Sequence, residues 1–122
     1  MLMKLRIKGN SIRYRLTRSD VAAIIKDGRL EERTEFGHGN ALVYVLQTTF
    51  DYDLSATFHD NRITLFVPHS MMEQLGNTDE VGFESGQGKL FLLVEKDFTC
   101  LDNVAEDQND NYPNPLAEKE NE

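Results

Sequence analysis

Cysteine, tryptophan, proline and long apolar runs are all scarce in this chain, which has one Cys, no Trp and three Pro in 122 residues. Each shortage excludes something. Cys100 closes no internal disulfide, and a structural zinc site needs several Cys or His ligands, whereas His38, His59 and His69 are dispersed. No stretch approaches the roughly 20 apolar residues that span a bilayer. Lys4, Arg6 and Lys8 also interrupt the short apolar region a signal peptide would need. A reducing cytoplasm is the expected compartment.

Catalytic signatures are missing as well. There is no Gly-x-Ser-x-Gly, no His-Glu-x-x-His and no dinucleotide fingerprint. The segment from Gly82 to Lys89 imitates a phosphate loop. However, Phe83 stands where a Walker A sequence needs its first Gly, and Leu90 stands where it needs Ser or Thr. Asp107-Gln108-Asn109-Asp110-Asn111, with Glu118 further on, imitates a calcium loop. Tyr112 replaces its turn glycine, and Pro113 and Pro115 obstruct the backbone. Cys100 lies among Asp102, Glu106 and Asp107, whose charge opposes thiolate formation. No catalytic residue, metal or cofactor is expected, and the chain reads as a non-catalytic binding or accessory module.

What is present is charge, unevenly placed. The net charge is -8, but residues 98–122 hold seven acids and one base, which leaves only -2 on residues 1–97. Nucleic-acid and membrane binding need clustered positive potential, so neither is expected. The body does carry one basic stripe: Lys4, Arg6, Lys8, Arg13 and Arg15 project from a single stretch of extended chain. Arg captures carboxylate or phosphate in a bidentate fork. Arg6, Lys8, Arg13 and Arg15 are therefore the candidate ligands for a small anion, or, in the competing class, for the anionic substrate of a small enzyme. Convergence of Arg6, Arg13 and Arg15 in a concave pocket would support either reading. Pairing with Glu31, Glu32 and Glu35 would remove the support for both.

Hydrophobic periodicity supplies the elements. Met3, Leu5 and Ile7 alternate with the basic residues as a half-buried strand, Gly9-Asn10-Ser11 makes a turn or bulge, and Ile12, Tyr14 and Leu16 resume the alternation. Thr17 and Asp20 have capping-box spacing, Val21, Ile24 and Ile25 supply a helical stripe, and Gly28 suits a left-handed exit. Residues 29–36 form a charged edge strand, whose charge opposes pairing of two copies through it, so a monomer or weak dimer is expected. Ala41–Thr49 is apolar on both faces, as a central strand is. Leu54, Ala56 and Phe58 alternate into an Asp60-Asn61 turn and the strand Arg62–Val67. Pro68 opens a second helix bearing Met71, Met72 and Leu75, closed by Gly76-Asn77, and Val81–Ser85 and Lys89–Asp97 form the last hairpin. Ile12–Ser19 and Ile63–Ser70 align as strands feeding helices, which suggests a strand–helix–strand repeat about a pseudo-twofold axis.

The expected fold is α+β: a mainly antiparallel sheet, or a partly closed barrel, of about seven strands with two short helices. The domain spans residues 1–98 and the acidic, irregular tail 99–122. Within the tail, residues 99–115 dock and residues 116–122 fray. Tyr112 and Pro113 are its candidate anchors, facing either this domain or a protein partner.

Two segments carry a family likeness. Leu5-Arg6-Ile7-Lys8-Gly9-Asn10-Ser11-Ile12-Arg13-Tyr14-Arg15-Leu16-Thr17 is one; Val94-Glu95-Lys96-Asp97-Phe98-Thr99-Cys100-Leu101, with Glu106-Asp107 and Tyr112-Pro113-Asn114-Pro115, is the other. The chain resembles a family of small uncharacterised bacterial proteins over nearly its whole length. The resemblance implies a single-domain bacterial protein and carries over no catalytic residues.

Overall fold

The computed structural model describes residues 3–98 and 109–115. The expectations for Cys100, Asp102, Glu106, Asp107, Glu118 and the end of the chain lie outside these residues. The described chain forms β1 (Lys4–Lys8), β2 (Ser11–Leu16), α1 (Arg18–Asp27), β3 (Arg29–Gly37) and β4 (Asn40–Thr49). There follow β5 (Ser55–His59), β6 (Arg62–Pro68), α2 (His69–Asn77), β7 (Gly82–Gln87) and β8 (Leu90–Lys96).

Neighbouring strands pair as four hairpins, because each is separated by a short turn that the sequence marks with Gly, Asn or Asp. Asp60 and Asn61 hold φ of 50° and 60°, the left-handed pair that a two-residue hairpin turn demands. The first and last hairpins form one sheet in the order β1-β2-β8-β7. The middle two form the other, β3-β4-β6-β5. The central pairs, β2 with β8 and β4 with β6, are parallel. This mixed pattern follows from the helices. Helix α1 carries the chain from the end of β2 to the other sheet, and α2 carries it back from the end of β6. Both crossings are made where the central strands finish, so the four hairpin turns gather at the opposite end.

Helix α1 begins with a reciprocal capping box: the Asp20 amide donates to Thr17 Oγ1 (3.2 Å), and the Thr17 amide donates to Asp20 Oδ2 (2.9 Å). Gly28 ends it at φ 79°. Helix α2 follows Pro68 with no side-chain cap and is held by burial of Met72 and Leu75. Gly76 lies inside α2. A Cβ there would come within 2.8 Å of Ile25 Cδ1, so this glycine serves the close approach of the two helices.

The two sheets and both helices enclose one core, with Leu16, Leu92 and Val94 from the first sheet against Leu46, Leu65 and Val67 from the second, and Ile24 and Leu75 from the helices. Two tyrosines tie the sheets together. Tyr14 on β2 donates its hydroxyl to the Ile63 carbonyl (3.1 Å), and Tyr44 on β4 donates to the Met3 carbonyl (3.0 Å). Their rings meet edge to face with centroids 6.1 Å apart, a favoured aromatic geometry. On the outer face of the second sheet, outside the core cluster, Val45 is 1% exposed. It sits opposite Glu31, whose carboxylate holds Arg29 (2.7 Å) and Arg62 (2.9 Å), and long paired side chains of this kind shelter apolar residues.

The α+β class and the two helices are as expected; three details differ. Eight strands form among the described residues rather than about seven, because residues 4–16 fold as a hairpin. The strands make two separate sheets, with no closed barrel. At the β5 and β7 edges, Gln87 explains this: its side-chain amide takes both the Ala56 N–H (2.8 Å) and the Ala56 carbonyl (2.9 Å), so no ladder closes there. A strand–helix–strand repeat is not supported either, since the likeness of Ile12–Ser19 to Ile63–Ser70 stops at the helix starts: α1 has a reciprocal side-chain cap and α2 has none.

The tyrosine bridges generate a stability test. Tyr14→Phe strips a buried carbonyl of its donor and is expected to cost about 1–3 kcal/mol in urea unfolding, and Tyr44→Phe about 1 kcal/mol. Burial raises the pKa of both phenols. The fold therefore favours the protonated form, so their contribution is whole below the ordinary tyrosine value, roughly 10, and is lost as pH rises through the higher folded values. Urea unfolding followed by circular dichroism is expected to show a gap in stability between wild type and Tyr44→Phe at neutral pH that narrows as pH rises through the folded Tyr44 value. No gap at neutral pH, or a gap that does not change with pH, would contradict the bridge.

Candidate functional site

Alternation along β1 and β2 and the register between them decide which side chains meet. Lys4 lies opposite Arg15, Arg6 opposite Arg13, and Lys8 opposite Ser11, so the five basic residues share the outer face of the first sheet. Strand β8 adds Glu95 directly beside Arg15. Glu95 Oε1 accepts from Arg15 Nε (3.0 Å) and lies 3.4 Å from Arg13 Nε. Lys4 Nζ lies 3.0 Å from the buried Asp97 Oδ2, an attraction of charge without aligned hydrogen-bond geometry.

These two carboxylates answer three of the five cations. Arg6 and Lys8 make no ion pair among the described residues. With Ser11 and Arg13 they line a concavity of about 260 Å³ next to the first hairpin turn. The expected pairing of these cations with Glu31, Glu32 and Glu35 does not occur, because β3 belongs to the other sheet. Glu31 is engaged with Arg29 and Arg62, and Glu35 with Arg33 (3.0 Å), all in the other sheet. The Arg29 hydrogen bond, opposed by burial and helped further by the charges of Arg29 and Arg62, holds the Glu31 carboxyl below its usual range. Arg15 is turned to Glu95 and does not line the concavity.

Two like charges facing each other across a hairpin repel. Here Arg6 faces Arg13, and Arg13 must share one carboxylate with Arg15. The arrangement can therefore offer two guanidinium forks, one ammonium and a hydroxyl to an oxyanion. None of the three histidines lines it. His59 lies 3.1 Å from Asp60 in the β5–β6 turn, and His69 lies 2.8 Å from Glu73 on α2. No group of three metal-ligating side chains is present among the described residues.

A second feature escaped the sequence reading. Ile7 and Phe58 fit the inward phase of their strands, yet they are 56% and 70% exposed. Both lie at the turn end, where the sheets part and leave an apolar cleft of about 470 Å³ lined also by Ile12, Leu42, Ile63 and Leu90. Periodicity reports the face of a strand and says nothing of where two sheets diverge.

The tail anchors occupy the far end of the first sheet. Tyr112 donates its amide to the Asp97 carbonyl (2.9 Å) and packs edge to face on Phe98, with Lys96 Nζ 4.8 Å from its ring centre. Pro113 beside it is exposed. Asp110 meets the start of α1: its carbonyl accepts from the Arg18 amide (3.1 Å) and its carboxylate from Ser19 Oγ (3.0 Å). Burial pushes the Asp110 carboxyl upward, but hydrogen bonds from Thr17 and Ser19 outweigh it and leave the carboxyl below its usual range. The Tyr112 phenol is raised by burial. The tail segment and the cationic concavity are thus held at opposite ends of one sheet.

Fold and site together define a two-sheet α+β protein with a cationic concavity on one outer face and an apolar cleft at its turn end. The chain belongs to DUF7009, a family of unknown function, whose model matches residues 3–116 and so includes the returning segment around Tyr112. Comparison with curated proteins and with solved structures gives no match. Among the described residues no helix is long and apolar enough to cross a membrane.

The Asp110 contacts are expected to respond to acid. Because its folded pKa is depressed, its contribution is whole above the unfolded value, roughly 3.9, and disappears as pH falls through the lower folded one. Hydrogen exchange at the Arg18 and Tyr112 amides is expected to lose protection over that range, and Asp110→Ala to lose it already at neutral pH at a cost of about 1 kcal/mol. Unchanged protection in Asp110→Ala would show that the segment is held by Tyr112 alone.

Proposed function

We propose that the chain is a non-catalytic binding module that holds a small oxyanion, a carboxylate or a phosphate group, between Arg6, Lys8, Ser11 and Arg13. One observation carries this reading: Arg6 faces Arg13 across the hairpin, while Arg6 and Lys8 have no acidic partner among the described residues. A like-charge pair directly opposed in a sheet is destabilising. An anion seated between the two guanidinium groups turns that repulsion into two charge-assisted attractions, and the Ser11 hydroxyl adds a neutral donor. Glu95 supports the reading from the side. By engaging Arg15 and reaching Arg13 it fixes their orientation while leaving the face with excess positive charge.

The site is small and its cations are partly exposed, so charge complementarity contributes specificity and salt sensitivity more than great affinity. Phosphate or sulfate, compared with chloride at equal ionic strength, is expected to raise the melting temperature of the wild type, by roughly 2.7 kcal/mol of added stability at a hundred times Kd. Arg6→Ala is expected to abolish that gain. Without the anion, the same substitution should stay within about 0.5 kcal/mol of the wild type or exceed it slightly, since it relieves repulsion. A large loss of stability in anion-free buffer, or an undiminished response to phosphate, would contradict the proposal.

A further inference from the structure

The edge strand β1 separates two features that alternate along it. Arg6 and Lys8 turn outward into the cationic concavity, while Ile7, between them, and Gly9, directly after, line the apolar cleft. From this juxtaposition we infer that the ligand is an anionic amphiphile of small-molecule size, with its apolar body in the cleft and its charged group drawn round the β1 edge to Arg6 and Lys8. The inference rests on the anion-binding reading above and names the class of ligand for it.

Cleft size and chemistry support the apolar half. About 470 Å³ lies within the range of small-molecule pockets, which bury most of a ligand against apolar side chains. No charged side chain lines it. The amide of Gln87 is committed to both backbone groups of Ala56 and has little left to offer a polar ligand. Ile12, Leu42, Ile63 and Leu90 form its walls, and Ile7 and Phe58 stand exposed at its mouth, where a bound chain would cover them.

The charged half comes from the same hairpin. Among the described residues β1 has a neighbour on one side only, so no strand of the sheet lies beyond it on the way from cleft to concavity. The adjacent turns are also locked to each other: Asn10 Nδ2 donates to the Lys89 carbonyl (2.7 Å), and the Phe91 amide donates to the Asn10 carbonyl (2.9 Å). The first turn is thereby fixed in place, with Lys8 on one flank of it and the cleft on the other.

Calorimetric titration of the full chain with monomeric hexanoate, octanoate and decanoate, alongside acetate, phosphate and decanol, tests this directly. Affinity is expected to rise about fourfold for each added methylene. Phe58→Ala, an exposed change that the fold tolerates, should weaken decanoate at least tenfold and leave phosphate unaffected. Arg6→Ala should weaken decanoate and phosphate together, and decanol should bind more weakly than decanoate. Phosphate binding without any dependence on chain length would overturn the amphiphile and leave the anion site standing. Decanol binding as tight as decanoate, with no phosphate binding, would overturn the anion reading itself. Binding to anionic vesicles but to no monomeric carboxylate would overturn the inference in favour of a lipid surface.

Discussion

Two phenols reaching in opposite directions hold this molecule together. Tyr14 leaves the first sheet to donate to a carbonyl of the second, and Tyr44 returns the contact to Met3, with the rings in edge-to-face contact between them. A buried tyrosine must find a partner for its hydroxyl, and here each partner lies in the opposite sheet. The bridges therefore fix how the sheets face each other. Helix crossings then close one end of the core, and the other end, where the hairpins turn, stays parted.

From that arrangement the chemistry of the surface follows. With Tyr14 pointing in, the register of the first hairpin must place Arg13 and Arg15 outward, and pairing with β1 sets Arg6 against Arg13. Strand β8 supplies one carboxylate for two arginines. The cleft has the same origin: Ile7 and Phe58 keep the inward phase of their strands beyond the point where the opposite sheet can cover them. Charge outside and an apolar opening inside are two consequences of one hairpin.

Local signals were legible in the residues. The alternation of Lys4–Lys8 and Ser11–Leu16, the Thr17–Asp20 box and the Asp60-Asn61 turn each depend on neighbours within a few positions, and each is where it was expected. Contacts made across the chain were not legible. Glu95 meets Arg15 from 80 positions away, so the nearer acids of residues 31–35 looked like the natural partners until the sheet order placed them in the other layer. Gly76 shows the same limit. Helix α2 ends at Asn77, as the Gly76-Asn77 pair suggests, but the close approach of Ile25 on the other helix, which also favours glycine there, could not be read from neighbouring residues. Sheet count belongs with these, since hairpins leave open which strands become neighbours.

Among the described residues the first sheet offers one face with cations to spare, and an anion seated there is the account's main consequence. A nitrogen-15 NMR titration with phosphate reads it residue by residue. Saturable shifts of the amides at Arg6, Lys8, Ser11 and Arg13, together with sharpened Arg6 and Arg13 side-chain Nε signals, are the predicted result. Shifts confined to other surfaces, or none that saturate at these four residues, would contradict it.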